Sequence, residues 1–350
     1  MLYSQNSYIM KIRKIVIFCL IGIMVQVGCR TDHLKVPISN IDLDLSIQRF
    51  EIDLFDQKLE NKLDNINTLE EKYGQFLSLF SYVVNIGQPG DSAFPDLLKS
   101  FVTDRLNNEV FQTTQETFPD LNKLEKELNN AFKHYLYYYP DKQIPGIYTF
   151  ISGFNSSIII DNNILAIGLD RYLGADCKYY PQLGIPKYLC KNMTGDKIPY
   201  DCMYAWASTE FNYEGEGNND FTDNVLNNLI YEGRLNYFVK AMMPDADEAM
   251  IFGFTNQQLE WCKQNESDMW THLVEKKLLY STDRFTIKKL IGDAPFTSYF
   301  PRESPGKAAV WLGYQIIKQY VDKELNVSLP ELMENSDYQE ILRLSKYDPR

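Results

Sequence analysis

The segment 10–29, MKIRKIVIFCLIGIMVQVGC, constrains this chain more than any other stretch. Three cations precede an apolar run of about 13 residues, positions 15–27. A helix that crosses a bilayer needs about 20 apolar residues, so this run is too short to be one. Cations, a short apolar run and a small residue after it are typical of a secretory signal. The pattern therefore predicts a signal peptide over residues 1–28, with Met10 as its expected start.

The tripeptide Val27-Gly28-Cys29 ends this segment and resembles the lipobox of bacterial lipoproteins, although Gln26 stands where a lipobox normally has Leu. Cleavage before Cys29 and lipidation of its thiol would tether the rest of the chain to a membrane. The alternatives are an ordinary signal peptide or a short anchor with a cysteine there by chance. We expect residues 29–47 to be a lipidated tether that faces the periplasm.

The mature chain is strongly acidic. Removing residues 1–28 takes away three cations and no acid, so the formal net charge changes from −12 to −15. Such a chain is repelled by phosphate backbones and by anionic lipid headgroups. Nucleic-acid binding is therefore not expected, and membrane attachment has to come from the lipid on Cys29.

The order of patterns along the chain predicts the fold class. With 45% hydrophobic residues the chain is globular rather than disordered. Residues from about 55 to 139 have helical spacing, and short β-branched runs around Asp161-Asn162-Asn163 read as a β-hairpin. Helical spacing then returns over 199–211, 222–243, 256–280 and 305–325. This order predicts an α+β fold, predominantly α-helical with a small antiparallel sheet.

We expect one domain over residues 48–345. Its helical N-terminal part would extend to about residue 145, and a second part would cover about 146–325. Three helix starts carry signals of their own, and these are Thr222, Thr255 and the pair Ser304-Pro305.

Four cysteines follow Cys29. An even number in an oxidising compartment suggests pairing, and four cysteines permit three connectivities. Cys177 and Cys190 flank a turn-rich segment, so a disulfide between them is the preferred pair. Free buried thiols are the alternative. Because no CxxC spacing occurs, a cysteine zinc site is not expected.

Glu232 is the strongest candidate for a functional side chain. It lies inside an apolar helical segment, VLNNLIYEGRLNYF (225–238), next to Gly233, which permits close contact with another helix. In zinc peptidases of the gluzincin type, a helix with an EG pair supplies the third metal ligand. The first two ligands come from HExxH, whose i, i+4 spacing places both histidines on one helix face.

This chain has no HExxH motif. Its three histidines, His33, His134 and His272, are far apart, and the segment 199–211 that would carry the motif has none. A zinc site with two imidazoles and Glu232 cannot be assembled, so no metal and no other cofactor is expected. A structural role for Glu232, paired with Arg234 or Arg171 or capping a helix, is the alternative.

Seven segments together resemble the gliding motility lipoprotein GldB family of Bacteroidota. They are RFEIDLF (49–55), ISGFNSSIIIDNNILAIGLDRYLG (151–174), IPKY (185–188), IYEGRLNYFVKAMMPD (230–245), LEWCKQNE (259–266), LLYSTD (278–283) and ESPGKAAVWLGYQIIKQY (303–320). That family is similar in turn to a family of predicted zinc peptidases, but the HExxH histidines of those peptidases are replaced in it. The resemblance implies a zincin-like, more specifically gluzincin-like, core and a non-catalytic or unassigned role in the cell-envelope machinery that supports gliding.

The resemblance also implies a degenerate peptidase-like cleft that binds an envelope protein or a peptide. The residues expected to line it are Glu232, Tyr231, Arg234, Trp206, Asp170, Arg171 and Tyr172.

Three further hypotheses stay open at this point. A hydrolase could pair Glu232 with Asp201, Glu210 or Asp170, because two acids in one cleft can serve as acid and base. A glycan-capture protein could use the tyrosines at 137–139 as a platform, although such a cluster is more often a half-buried helix face. The acidic loop 212–224 could bind Ca²⁺, cover the pocket beside Glu232, or simply be solvated.

Overall fold

The structure, a computed structural model of the chain, describes residues 33–55, 62–213 and 222–350. The expected signal peptide 1–28, the lipidation site Cys29 and most of the acidic loop 212–224 therefore lie outside the described residues. The chain divides into two units, Met1–Val36 and Pro37–Arg350, and the following description concerns the second. Within the described ranges, no helix is both long and apolar enough to cross a membrane.

Helices dominate the first third of the described chain. Strand β1 (Ile47–Arg49) is followed by helices Phe50–Phe55, Lys62–Tyr73, Gln75–Val84, Phe94–Thr103, Arg105–Thr117 and Asn122–Tyr138. Phe50 lies at the centre of their core, where the rings of Tyr73, Phe76 and Phe80 meet it edge-on at centroid distances of 4.9, 5.1 and 4.8 Å. Edge-to-face aromatic packing of this kind adds to the free energy of simple burial.

Four strands form one mixed sheet in the order β1-β2-β4-β3. Strands β2 (Gly146–Phe150), β3 (Ile158–Asp161) and β4 (Ile164–Gly168) follow the helices. Strand β2 lies parallel to both β1 and β4, whereas β3 is antiparallel to β4. The expectation of an antiparallel sheet is therefore wrong except for one pair. The helices between β1 and β2 form the crossover connection that parallel pairing requires.

The predicted hairpin is confirmed as the antiparallel pair β3 and β4. Its turn places Asn162 in the left-handed region, at φ 47°. Asparagine tolerates this backbone conformation better than most residues, so the Asn-Asn pair suits a tight turn.

The rest of the chain is helical. After β4 come the 3₁₀ turn Leu169–Tyr172, the short helices Tyr179–Gln182 and Lys187–Cys190, the 3₁₀ turn Gly195–Lys197, and the helices Ile198–Glu210, Val225–Met242, Glu248–Phe252, Asn256–Gln264, Glu266–Glu275, Arg284–Ile291, Ala308–Lys323, Leu329–Glu334 and Tyr338–Ser345. Helix Val225–Met242 is buried around most of its circumference and packs against the helices Ile198–Glu210 and Ala308–Lys323. This mostly helical α+β architecture agrees with the predicted fold class.

Thr255 alone of the three predicted helix starts is confirmed, as the N-cap of Asn256–Gln264 with a capping box. Thr222 is not the N-cap of helix Val225–Met242. That position belongs to Asn224, whose side chain accepts a hydrogen bond from the backbone N–H of Asn227. Ser304-Pro305 is not a helix start, since helix Ala308–Lys323 begins three residues after the proline. The Ser-Pro segment is instead bound to Thr297, whose backbone N–H donates to the Pro305 carbonyl at 3.0 Å.

No disulfide joins Cys177 to Cys190, and the four cysteines of the described residues are free thiols. The predicted bridge is therefore absent from the structure. Both side chains belong to one apolar cluster, and the Cys190 thiol is directed at its own helix, where Sγ lies 3.5 Å from the Pro186 carbonyl. The structure has free thiols at both positions, buried at Cys190 and half-buried at Cys177.

The tyrosines at 137–139 do not form one flat platform. Tyr137 is 43% exposed and meets Tyr138 edge-on, with an interplanar angle of 86°. Tyr139 turns inward and stacks on the buried Tyr135 at a centroid distance of 5.0 Å. This arrangement is a half-buried helix face, which gives no support to a glycan-capture surface there.

Candidate functional site

A cavity of about 360 Å³ lies where helices Ile198–Glu210, Val225–Met242 and Ala308–Lys323 approach the 3₁₀ turn Leu169–Tyr172. Its wall carries three cationic and three acidic side chains, namely Arg171, Lys197, Lys307, Asp201, Glu232 and Asp293. This volume is at the lower end of the range for small-molecule sites, roughly 300–1,000 Å³.

Glu232 projects into the cavity from helix Val225–Met242. The Tyr204 hydroxyl donates a hydrogen bond of 2.5 Å to its Oε2 atom, and Tyr204 belongs to the helix Ile198–Glu210. Burial raises the pKa of Glu232, which the Tyr204 hydrogen bond and the charge of Lys307 partly oppose. A carboxyl with a raised pKa in a cavity is a recognised mark of a functional site, although structural groups share it.

Lys197, which is buried, and Asp201, which is half-buried, form an ion pair in the cavity wall, with 3.4 Å between Nζ and Oδ1. Lys197 Nζ also donates to the carbonyls of Met250 and Ile251 at 2.9 and 3.1 Å, and burial lowers its pKa. The Tyr172 hydroxyl donates to Asp201 Oδ2 at 3.0 Å. These contacts satisfy the charges of this wall within the protein itself.

Lys307 and Asp293 form a second ion pair, 3.1 Å long, whose side chains are 33% and 60% exposed. Lys307 directly precedes helix Ala308–Lys323 and adopts the left-handed conformation, at φ 52°. Exposed pairs of this kind stabilise a protein little.

Arg171 is the third cation, and its hydrogen-bond partners among the described residues are neutral. Its Nε donates to Ser157 Oγ at 3.3 Å and its Nη1 to the Phe154 carbonyl at 3.4 Å. Among the described residues, no carboxylate lies within ion-pair distance of the guanidinium. Arg171 therefore has donors left for a ligand.

Asp170 lies behind the cavity rather than in its wall. It is fully buried, and its Oδ2 accepts the backbone N–H groups of Ser152 and Phe154 at 3.0 and 2.6 Å. Burial raises its pKa to about 6, although the two backbone hydrogen bonds oppose the shift. Asp170 thereby holds the loop that presents the Phe154 carbonyl to Arg171.

Of the seven predicted cleft residues, Glu232, Arg171 and Tyr172 line the cavity. Trp206 packs edge-on against Phe132 and Tyr135 in the core instead, at 5.8 and 5.9 Å between centroids. Residues that are adjacent to a lining residue along a helix point away from the cavity, because successive side chains are rotated by about 100° around the helix axis.

The same rotation removes Tyr231 and Arg234 from the cavity wall. The Tyr231 hydroxyl donates to the Phe211 carbonyl at 3.0 Å, and Arg234 Nη1 donates to the Asn335 carbonyl at 2.5 Å. Neither Arg234 nor Arg171 forms an ion pair with Glu232, so those proposed pairings are wrong.

Four ionisable lining residues escaped sequence reasoning, namely Lys197, Tyr204, Asp293 and Lys307. The spacing along the sequence could have revealed Lys197 and Tyr204. Lys197, Asp201 and Tyr204 have i, i+4, i+7 spacing, which places them on one helix face. Asp293 and Lys307 come from a loop and a helix start, where no such periodicity operates.

Asp201 is the one suggested acidic partner of Glu232 that shares its cavity. Glu210 lies at the outer end of its helix, where Lys142 contacts it at 2.9 Å, and Asp170 is enclosed behind the wall. Within the described ranges, no group of three or more His, Cys, Asp or Glu side chains is placed to hold a metal ion.

This fold and this cavity define an α+β protein with a charge-lined pocket between its central helices. Residues 31–349 match the family model described as gliding motility protein GldB, and the chain belongs to that family. The family is one of cell-envelope lipoproteins related to gliding motility. No curated protein and no solved structure matches the chain. The gluzincin-like core therefore stays a prediction.

Proposed function

We propose that this protein is a non-catalytic lipoprotein, anchored through Cys29, whose cavity binds a peptide or a segment of an envelope partner. The observation that carries this proposal is the hydrogen bond from Tyr204 to Glu232, 2.5 Å long. Glu232 is the residue that would bind zinc in a gluzincin, and Tyr204 lies on the helix that would carry HExxH. The Tyr204 phenol thus occupies one oxygen of the Glu232 carboxylate, from the helix on which such a peptidase carries its metal-binding histidines.

The charges of the cavity also favour a binding role. Lys197 is engaged by Asp201 and two carbonyls, and Lys307 is engaged by Asp293. These cations are therefore not disposed as a cluster for an anion such as phosphate. A mixture of charged, amide and apolar groups suits the equally mixed surface of a peptide.

The proposal is tested by photo-crosslinking in the native host. A photoreactive residue replaces Asn192 in the cavity wall, and a matched one replaces Lys288 on an exposed helix face. Irradiated cells should yield a specific crosslinked polypeptide only from position 192. The same product from both positions, or none from either, would contradict the proposal.

A link to motility is tested separately. Deletion of the gene in the host should impair cell movement on a surface, and the wild-type gene should restore it. Glu232→Gln should restore movement less well than Glu275→Gln, which changes an exposed glutamate. Normal movement of the deletion strain would remove the motility part of the proposal for this chain.

A hydrolase is the second candidate, because Asp201 and Glu232 line the same cavity and burial raises the pKa of Glu232. Such a pair could divide the roles of acid and base. The test is hydrolysis of fluorogenic peptides by the purified protein. Activity that disappears in both Asp201→Asn and Glu232→Gln would establish the hydrolase and refute the non-catalytic proposal.

A further inference from the structure

Two oppositely charged groups in the cavity keep hydrogen-bonding capacity that the protein does not use. Arg171 donates through Nε and Nη1 to a hydroxyl and a carbonyl, and its remaining N–H groups have no acceptor among the described residues. Glu232 accepts one hydrogen bond, from Tyr204 to Oε2, and its Oε1 accepts none from those residues. Each group can therefore take one charged partner from a ligand.

The other charged groups of the cavity do not provide a partner for Arg171 or Glu232. The ion pairs Lys197 with Asp201 and Lys307 with Asp293 are closed within the protein. A purely anionic ligand would leave Glu232 unpaired, and a purely cationic one would leave Arg171 unpaired. A charged group in a site partly shielded from water is destabilising unless it has a partner of opposite charge. A ligand that pairs with Glu232 and Arg171 therefore carries one positive and one negative group.

Part of the cavity wall is apolar. Ile251, Phe252 and Val310 line the cavity and are at most 5% exposed. An apolar side chain placed against them would lose little hydration and gain contact area. The cavity volume of about 360 Å³ leaves room for only a small ligand.

We infer that the cavity binds a short peptide with both ends free. Its ammonium group would contact Glu232, its carboxylate would contact Arg171, and an apolar side chain would pack on Ile251 and Phe252. Guanidinium suits a carboxylate because it can donate two parallel hydrogen bonds. This inference rests on the proposed binding function and adds which ends of the peptide are recognised.

The test uses the full chain, purified in detergent, and three forms of the tripeptide Ala-Leu-Ala. One form is unmodified, one is N-acetylated, and one ends in an amide. Equilibrium dialysis should give saturable binding of the unmodified peptide at one site. Each modification removes one charge and should weaken binding roughly tenfold or more.

Variants assign each end to its residue. Glu232→Gln should make affinity insensitive to N-acetylation while leaving the effect of the C-terminal amide unchanged. Arg171→Gln should do the reverse, and Arg171→Lys should recover part of the loss because it keeps the charge. Glu275→Gln and Arg284→Gln change exposed residues elsewhere and should bind as the wild type does. Circular dichroism of every variant confirms that it is folded.

The outcomes separate this inference from the function on which it rests. Equal binding of free and blocked peptides would overturn the recognition of ends and leave peptide binding in place. No binding of any tripeptide would overturn the inference as well. In that case crosslinking from position 192 still decides whether the cavity binds a larger partner.

Discussion

Gly233 and Gly313 bring two central helices, Val225–Met242 and Ala308–Lys323, into direct backbone contact. A methyl group added at Gly233 would lie 2.2 Å from the Gly313 carbonyl carbon. One added at Gly313 would lie 1.7 Å from the Leu229 carbonyl oxygen. Since Glu232 precedes Gly233 and lies on another face of the same helix, this contact fixes the wall from which Glu232 enters the cavity.

Gly233→Ala and Gly313→Ala should therefore each destabilise the protein strongly, by about 3 kcal/mol or more, because backbone atoms cannot move aside as side chains can. Chemical denaturation measures the free energy of unfolding. Gly146→Ala is the control, since its added methyl would approach only the Tyr148 ring, at 3.1 Å. A loss below 1 kcal/mol in both core variants would contradict the close contact.

Tyr204→Phe should destabilise the protein by about 1–3 kcal/mol at neutral pH, because it removes a hydrogen bond to a half-buried carboxylate. That bond lowers the pKa of Glu232 against the effect of burial, so its loss raises this pKa further. An acid whose pKa is raised on folding costs stability once the pH exceeds the pKa of the unfolded chain.

The cost of Tyr204→Phe should consequently be larger at pH 7.5 than at pH 4, where Glu232 is mostly protonated in both states. Unfolding by urea at the two pH values measures this difference. Tyr280→Phe, at a side chain that is 58% exposed, serves as the control. Equal destabilisation at both pH values would show that the hydroxyl does not stabilise an ionised Glu232.

Asp170 should produce its own pH dependence of stability. Its pKa rises from 3.8 to about 6 on folding, because the side chain is fully buried. Between these values the folded state holds the proton more tightly, so stability falls as the pH rises. A shift of about two units corresponds to roughly 3 kcal/mol.

Asp170→Asn removes this titration. The free energy of unfolding of the wild type, minus that of Asp170→Asn, should fall between about pH 4 and pH 6 and then stay constant. Urea unfolding across this range provides the measurement, and Asp176→Asn at an exposed position is the control. A difference that does not change with pH would mean that Asp170 titrates normally.

Arg234 should be essential for holding the C-terminal helices. Its guanidinium lies between the rings of Tyr231 and Tyr338, 5.4 and 5.5 Å from their centroids, and donates to the Asn335 carbonyl. Arg234→Met should cost roughly 2–4 kcal/mol, because cation–π contacts and a charged hydrogen bond are lost together.

Hydrogen exchange should locate that loss. Arg234→Met should increase amide exchange in the helices Leu329–Glu334 and Tyr338–Ser345 more than elsewhere. Arg343→Met, at an arginine that is 67% exposed, should change little. Unchanged protection of both helices in Arg234→Met would refute the anchoring role.

Cys29→Ala should release the protein from membranes, because it removes the expected lipidation site. Fractionation of host cells and labelling with a fatty-acid analogue measure attachment and lipidation. Cys19→Ala is the matched control, since this cysteine lies within the expected signal peptide. A Cys29→Ala variant that stays in the membrane fraction would support a short uncleaved anchor instead.

Local patterns predicted most of the secondary structure. The hairpin around Asn162 and the helix start at Thr255 each depend on a few neighbouring residues. The pairing of β1 with β2 was missed because these strands lie about a hundred residues apart. Nothing local records which strands meet.

Gly233 was expected to permit a close helix contact, and the structure shows that contact. The sequence by itself also determined membership of the family and three lining residues, Glu232, Arg171 and Tyr172. Both conclusions came from segments that resemble the GldB family, and such segments are read directly from the sequence.

Only the tertiary structure decided what faces Glu232. Tyr204 and Lys307 approach it from segments 28 residues before and 75 residues after it in the chain. Which residues become buried together depends on how helices cross, and that depends on packing over the whole domain. The sequence therefore determined the chemical groups available for the site, and long-range packing decided which of them share one cavity.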